Sequence, residues 1–102
     1  MFKIIKMEKY VIKRNGEYKP LDLFKIKDAI LKGFQSVNEK FEEIIFHEVV
    51  LALNVKDTWS VEEIQDIIEK KLFSKKYFDV MRSFMLYRHT RKLQRDSTGS
   101  ID

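Results

Sequence analysis

Four cationic side chains lie close together early in the sequence, at Lys13, Arg14, Lys19 and Lys25. Lysine supplies a mobile positive charge and arginine a planar fork of N–H donors, and both bind phosphate groups well. The intervening Asn-Gly dipeptide (15–16) favours a type I′ β-hairpin turn, because both residues tolerate the positive φ that this turn requires. The turn would bring the cations together on a hairpin-and-helix unit. Such a unit is suited to covering a polyphosphate.

The elements that must hold these cations can be predicted from the flanking sequence. The hairpin should combine strands at 10–14 and 17–20, with Pro20 at a strand end or sheet edge because it has no backbone N–H to donate. Asp22 is the expected N-cap of a first helix, since its carboxylate accepts hydrogen bonds from the first free amides. Apolar residues then recur at the spacing of one buried helix face. They are Ile26, Ala29, Ile30, Gly33, Phe34 and Val37.

Three more helices are predicted from the same periodicity. The second spans about 39–53 and carries apolar residues on two sides, so both sides should be buried. Residues 54–59 break the pattern and are a candidate third strand. Ser60 and Glu63 then form a capping box that starts a third helix, and a fourth helix runs to about residue 93. We therefore predict an α+β fold, in which a β-hairpin or small three-stranded sheet covers a four-helix bundle.

Composition limits the chemistry that this chain can perform. Its 102 residues include no cysteine, which excludes disulfides and thiol chemistry within the chain. His47 and His89 lack neighbouring ligand-type residues, so we expect no metal site made of protein side chains. His47 lies among apolar residues and is expected to be buried or half-buried. Glycine occurs only at positions 16, 33 and 99, so neither a Walker loop nor a Rossmann fingerprint fits. We predict that this chain alone is not an enzyme.

Several candidate features also have a purely structural interpretation. The basic pair 13–14 would protect an exposed sheet edge from aggregation. Basic residues at 88–92 would favour the negative end of a helix dipole. The carboxylates of Glu62 and Glu69 share one helix face, which helix solubility explains.

The charge balance and hydropathy narrow the partners. A net charge of +4, from 20 Lys/Arg and 16 Asp/Glu, is modest, so nucleic acid is not the expected partner. A small basic nucleic-acid-binding module or a protein-interaction module remains the alternative function. The sequence has neither a run of about 18 apolar residues nor a signal-peptide pattern. A cytoplasmic protein without membrane contact is therefore expected.

Three short motifs, in order along the chain, resemble the ATP-cone domain. The first is Val-Ile-Lys-Arg-Asn-Gly at 11–16, followed by an acidic residue and by Lys-Ile at 25–26. The second is Ser-Val-Glu-Glu-Ile-Gln at 60–65, and the third is Phe-Met-Leu-Tyr-Arg-His-Thr-Arg at 84–91. The resemblance covers nearly the whole predicted fold.

This resemblance divides the chain and implies a function. Residues 1–8 become an N-terminal extension, 9–93 the ATP-cone domain, and 94–102 a linker to a missing following domain. ATP cones are regulatory domains, found mainly in ribonucleotide reductases and in a bacterial repressor of reductase genes. The resemblance implies that ATP and dATP compete for one pocket, with Mg²⁺ held by the phosphates. In the reductases ATP keeps the enzyme active, whereas dATP drives assembly of an inhibited oligomer.

Three hosts are possible for this domain, namely the repressor and two kinds of reductase subunit. The repressor is disfavoured, because four cysteines precede its cone. The catalytic subunit most often carries an N-terminal cone, and some radical-generating subunits carry one as well. Other reductase subunits would then be its partners.

The same resemblance implies a set of nucleotide-binding residues. Val11 would frame the adenine and Asp22 would help to read the base, while Gln65 falls where some members have a histidine near the sugar. Lys19 falls where some reductases have an acidic residue, which argues against a role for Lys19 in recognising the base. The cations would meet the triphosphate. The full set is Val11, Ile12, Lys13, Arg14, Asp22, Lys25, Ile26, Gln65, Arg88 and Arg91.

Two further expectations concern stoichiometry and assembly. The cations are numerous enough for two triphosphates bridged by Mg²⁺, so we expect two dATP molecules per domain. The apolar faces of the second and fourth helices exceed what a core of this size must bury, and Phe46, Trp59 and Phe73 are expected at the surface. We therefore expect dATP to promote self-association, and ATP to do so less.

Overall fold

The computed structural model describes residues 9–97. In this range the chain forms a three-stranded sheet and four helices, which confirms the predicted α+β architecture. The predicted extension 1–8 and the last part of the predicted linker, 98–102, lie outside the described residues. The strands are β1 (Tyr10–Ile12), β2 (Tyr18–Pro20) and β3 (Thr58–Ser60), and the helices are α1 (Leu23–Ser36), α2 (Glu43–Leu53), α3 (Val61–Ser74) and α4 (Phe78–Ser97).

The hairpin forms as predicted, but its turn is of another type. β1 and β2 pair antiparallel, and Pro20 ends the edge strand β2. Gly16 has a φ of 87°, whereas Asn15 does not have positive φ, so the predicted type I′ turn is wrong. The loop is longer by one residue: Gly16 N–H donates to the Lys13 carbonyl at 2.9 Å, and Lys13 N–H donates to the Glu17 carbonyl at 2.8 Å. Only glycine then adopts positive φ, which is less costly for the chain.

The candidate third strand is confirmed, and it makes β1 the central strand. β3 pairs parallel to β1, with Val11 opposite Trp59. The side chain of Trp59 is buried, and its indole N–H lies 3.2 Å from the carbonyl oxygens of Leu53 and Lys56. The expectation that Trp59 lies at the surface is therefore wrong. Carbonyl acceptors just after α2 satisfy its one polar atom, so the ring joins the core.

Both predicted N-caps are confirmed. The Phe24 N–H donates to Asp22 Oδ1 at 2.9 Å at the start of α1. At the start of α3, Glu63 N–H donates to Ser60 Oγ at 3.1 Å and Ser60 N–H donates to Glu63 Oε1 at 2.9 Å. These caps fix where α1 and α3 begin relative to the sheet.

Two other helix boundaries differ from the prediction. Asn38 takes a φ of 58°, and Glu39 N–H donates to the Phe34 carbonyl at 2.9 Å. The chain thus closes the end of α1 there, and α2 begins only at Glu43. At the other end, α4 continues past Leu93 to the last described residue.

The helices pack as a bundle with contacts of α1 with α4, α2 with α3, and α3 with α4. Helix α2 buries Ile45, Val49 and Leu53, whereas Phe46 and Val50 on the second predicted side are only half-buried. His47 is exposed, with Nε2 at 3.5 Å from Glu43 Oε1, so the prediction of a buried histidine is wrong. Two residues along a helix turn by about 200°, which places His47 opposite the buried Ile45. The largest fully buried side chains are Phe34, Ile30, Ile45, Leu53, Leu72, Val49 and Val80.

Candidate functional site

The hairpin and the start of α1 position most of the predicted site residues. Val11 and Ile12 are half-buried in β1, and Lys13 and Arg14 follow at the exposed turn. In α1, Lys25 is exposed in the first turn and Ile26 is buried beneath it. Asp22 is exposed, but one of its carboxylate oxygens already accepts the helix-capping bond. The cations are therefore at the surface, above an apolar floor.

Arg14 joins the hairpin loop to α3. Its Nη2 lies 2.8 Å from Glu62 Oε2, and both side chains are partly exposed. Glu62 is in the first turn of α3, next to the capping box. The sequence analysis explained Glu62 by helix solubility and missed this contact, because the partners are far apart in the chain.

Arg88 makes a second ionic contact, between α4 and α3. Its Nη1 lies 2.7 Å from Glu69 Oε2 and 3.1 Å from Asp66 Oδ1. The side chain of Glu69 is only 16% exposed, so this is the more buried of the two ion pairs. Burial opposes the charge on Arg88, but hydrogen bonds to Glu69 and Asp66 outweigh burial and raise its pKa above the ordinary value. Arg88 is a permanent cation.

Arg14 and Arg88 line the same cavity, which has a volume of about 290 Å³. The hairpin loop contributes Arg14, α3 contributes two carboxylates, and α4 contributes the remaining residues. The sequence analysis missed His89 as a member of this site and counted Lys92 only among the basic residues of the last helix; the fourth-residue helical repeat from Arg88 to Lys92 was the available signal. The lining residues are Arg14, Glu62, Glu69, Met85, Arg88, His89 and Lys92.

Lys25 lines a different cavity, between α1 and α4. Its volume is also about 290 Å³, and its walls are more apolar, with Phe84 at the base and Tyr87 at the rim. Ser36 and Ser83 hydrogen-bond to each other across it. Of the predicted phosphate cations, Arg14 and Arg88 thus line one cavity and Lys25 lines the other. The lining residues are Lys25, Asp28, Ala29, Lys32, Gly33, Ser36, Ser83, Phe84 and Tyr87.

Seven of the ten predicted residues are not among the lining of either cavity: Val11, Ile12, Lys13, Asp22, Ile26, Gln65 and Arg91. Gln65 is half-buried on α3. Arg91 is exposed on α4, where its Nη1 donates to the Tyr87 hydroxyl at 3.1 Å. Tyr87 connects Arg91 to the rim of the α1–α4 cavity.

Within residues 9–97, no cluster of three or more His, Asp or Glu side chains is arranged to hold a metal ion. Across the same range, every helix is too short or too polar to cross a membrane.

A three-stranded sheet packed with four helices places the described residues in the class of small α+β domains. The sequence model of the ATP cone domain matches residues 9–93, so the chain belongs to the ATP-cone family. This match confirms the resemblance and spans the sheet and all four described helices up to residue 93.

Curated relatives are ribonucleotide reductases. The chain is 39% identical over 98 residues to the vitamin B12-dependent ribonucleoside-diphosphate reductase of Thermoplasma acidophilum, covering 88% of the chain and 13% of that protein. It is 28% identical over 99 residues to the anaerobic ribonucleoside-triphosphate reductase of Salmonella typhimurium, covering 94% and 14%. It is 31% identical over 96 residues to the ribonucleoside-diphosphate reductase subunit alpha of Chlamydia pneumoniae, covering 79% and 9%. The chain thus spans a small fraction of each relative.

Proposed function

We propose that this domain binds ATP and dATP as allosteric effectors and thereby regulates a ribonucleotide reductase. The observation that carries the proposal is the convergence of Arg14, Arg88 and Lys92 on one cavity, in a chain that belongs to the ATP-cone family. A nucleoside triphosphate carries several negative charges, which match such a group of cations. By itself the domain is a sensor, and the catalytic residues of the reductase would lie elsewhere.

The proposed pose places the triphosphate on the cations and the adenine against the sheet. Arg14 from the turn and Arg88 from α4 already line the cavity, while Lys13 and Arg91 lie outside its lining and would turn toward the phosphates. The half-buried Val11 and Ile12 offer apolar surface for the base, with the buried Ile26 behind them and with Asp22 and Gln65 as polar groups near the base edge and the sugar. Lys25 serves phosphates on the α1 side. Mg²⁺ would be held by phosphate oxygens rather than by protein ligands.

The regulatory output rests on the difference of one hydroxyl between ATP and dATP. A pocket that excludes the 2′-hydroxyl distinguishes them by about 1–3 kcal/mol, which suffices for a concentration-dependent response. We propose that dATP favours an inhibited oligomer of the cytoplasmic parent enzyme and that ATP does so less. Linkage then requires assembly to strengthen dATP binding.

Calorimetric titration of the protein with ATP, dATP and a short DNA duplex, each with Mg²⁺, tests the proposal. We expect micromolar or tighter binding of dATP, similar or weaker binding of ATP, and little binding of the duplex. Nucleic-acid binding is disfavoured because the net charge of +4 is modest and the cations are not concentrated on one helix face. Binding of the duplex but not of either nucleotide would replace the proposed function with the alternative one.

The phosphate site has its own test. Replacing Lys13 and Arg14 together with alanine should weaken dATP binding by several kcal/mol, roughly 1.5–3 kcal/mol for each charged hydrogen-bond donor. The matched control is Lys40→Ala with Arg82→Ala, which removes the same two charges outside both cavities. Helix content by circular dichroism should stay unchanged in both variants. Unaltered dATP affinity in the first variant would sink the assignment of the turn cations.

A further inference from the structure

The acidic residues of α3 form a stripe that faces the proposed phosphate site. Glu62, Asp66 and Glu69 recur at helical spacing and are paired with cations from other elements. Glu62 contacts Arg14 from the hairpin, while Asp66 and Glu69 contact Arg88 from α4. Two of the three, Glu62 and Glu69, line the same cavity as those arginines.

These carboxylates share with a phosphate the chemistry that an arginine recognises. A carboxylate presents two anionic oxygens to the guanidinium fork, much as a phosphate does. The Arg88 Nη1 directs its donors to two carboxylates at 2.7 and 3.1 Å. A triphosphate entering this cavity therefore meets two arginines whose charge is already balanced, and it also meets the negative charges of Glu62 and Glu69.

We propose that Glu62 and Glu69 act as internal competitors of the nucleotide phosphates, which lower affinity and must be displaced or neutralised when ATP or dATP binds. This inference rests on the proposed function of the cavity and assigns its two acidic residues a role within it. Their charge sets the nucleotide concentration at which the site fills. Mg²⁺ on the triphosphate reduces the same repulsion, so the carboxylates also make binding more dependent on Mg²⁺.

Displacement of Glu69 from Arg88 would also affect a neighbouring surface cavity, because Glu69 lines both cavities. Glu69 and Met85 line both the phosphate cavity and a neighbouring open cavity of about 470 Å³. The second cavity also includes Asp66 and is bordered by Phe73 and Met81, between α3 and α4. When Arg88 turns to phosphate, its hydrogen bonds across these two helices are lost. Occupancy of the site thereby changes how α3 and α4 are held together beside an apolar surface.

Glu69→Gln tests the competition, because glutamine keeps the shape and one hydrogen bond to Arg88 but removes the charge. In calorimetry with Mg²⁺, we expect dATP and inorganic tripolyphosphate to bind Glu69→Gln about twofold to fivefold more tightly than wild type, the range of a partly exposed ion pair. The gain should be larger without Mg²⁺. Glu62→Gln should act in the same direction, with a smaller gain because its ion pair is more exposed.

The matched control is Glu48→Gln. Glu48 is 27% exposed and pairs with Lys75 at 3.0 Å, from α2 to the far end of α3, outside the phosphate cavity. The Glu48→Gln change removes the same charge as Glu69→Gln. Because Glu48 lies outside the cavity, the affinities for dATP and tripolyphosphate should stay within error of wild type. Thermal denaturation of all three variants would identify any that do not fold. If Glu69→Gln does not fold, Glu69→Asp takes its place, and its shorter side chain should weaken the competition with phosphate.

The outcomes separate this inference from the function on which it rests. If wild type binds neither nucleotide, the proposed function fails. If wild type binds dATP but Glu69→Gln binds it equally or more weakly, the carboxylate positions Arg88 instead of competing, and this inference alone is overturned. If Glu48→Gln gains as much affinity as Glu69→Gln, the change in net charge alone explains the gain, and this inference is overturned as well.

Discussion

Arg88 contributes both to the stability of the fold and to the proposed nucleotide binding. Its contact with Glu69 is the most buried ion pair that joins two helices beside the cavity. Removing one partner of such a pair leaves the other charge poorly solvated, which costs more than the pair itself contributes. Arg88 therefore affects folding and binding together, whereas the more exposed ion pair of Arg14 contributes less to folding.

We predict that Arg88→Gln weakens dATP binding about tenfold or more and lowers the free energy of unfolding by about 1–2 kcal/mol. Calorimetry and urea denaturation measure the two effects. Arg82→Gln is the control, because Arg82 pairs with Asp79 on an exposed part of the same helix, with both side chains 76% exposed. That change should alter stability by about 0.5 kcal/mol or less. A variant that keeps wild-type affinity would remove Arg88 from the site.

At the scale of elements, the capping box of α3 sets the position of the acidic stripe. Glu63 accepts the Ser60 N–H and lies 2.9 Å from Lys56 Nζ. Loss of either cap partner would let the first turn of α3 fray, and Glu62 is in that turn. The cap thus fixes the carboxylate that pairs with Arg14.

We predict that Ser60→Ala lowers the free energy of unfolding by about 1 kcal/mol, the usual cost of losing an N-cap. Ser60→Thr should restore most of it. Urea denaturation followed by circular dichroism measures the difference. A neutral Ser60→Ala change would mean that the backbone of β3, rather than the cap, holds the start of α3.

The capping box also predicts a dependence on pH. The hydrogen bond to Lys56, followed by the bond from Ser60 N–H, lowers the pKa of Glu63 below its ordinary value. Because the folded-state pKa is the lower one, this stabilisation is present above the unfolded pKa and is lost as pH falls through the folded pKa. Wild type should therefore be more stable than Glu63→Gln at neutral pH, and the difference should vanish in acid. A difference that stays constant across this range in thermal denaturation would contradict the role of the charge.

The whole molecule presents an apolar surface that bears on assembly. Phe73, Phe78 and Met85 are exposed between α3 and α4, and the rings of Phe73 and Phe78 meet edge-on at 5.5 Å. Phe73 was expected at the surface and is 59% exposed, while Phe46 is half-buried. Large exposed aromatic groups of this kind mark interaction sites more often than isolated ones do.

We predict that dATP promotes self-association of the parent subunit and that ATP does so less. Light scattering at matched salt, with each nucleotide at a saturating concentration, measures the mass. Phe73→Ser should abolish the increase with dATP, while Leu51→Ser, an exposed change on α2, should not. Equal masses with both nucleotides would rule out control through assembly.

Stoichiometry is a further property of the whole molecule. The two cavities carry separate cations, with Arg14 and Arg88 in one and Lys25 and Lys32 in the other. We predict that two dATP molecules bind per domain at saturating Mg²⁺. Calorimetry reports the ratio directly, and a value of one would contradict the prediction.

The sequence predicted local features well and distant contacts poorly. The N-caps at Asp22 and Ser60 could be recognised because a cap depends on residues within one helical turn. Helix periodicity could not identify the partner of Glu62 or of Glu69, since Arg14 and Arg88 reach them from other elements. The prediction that Trp59 lies at the surface was wrong for a related reason. Its indole N–H is satisfied by the carbonyl oxygens of Leu53 and Lys56, and helix periodicity does not reveal that contact.

The buried indole of Trp59 also makes the domain its own optical probe. It is the single tryptophan of the chain, so all tryptophan emission comes from one site in β3. The Trp59 ring centroid lies 4.5 Å from Lys56 Nζ, and the backbone of Trp59 pairs with Val11 in the central strand. Emission should shift to longer wavelength when water reaches the ring, which reports the loss of the sheet. A nucleotide seated against Val11 would lie one strand away from the fluorophore, so its binding could be followed without a label.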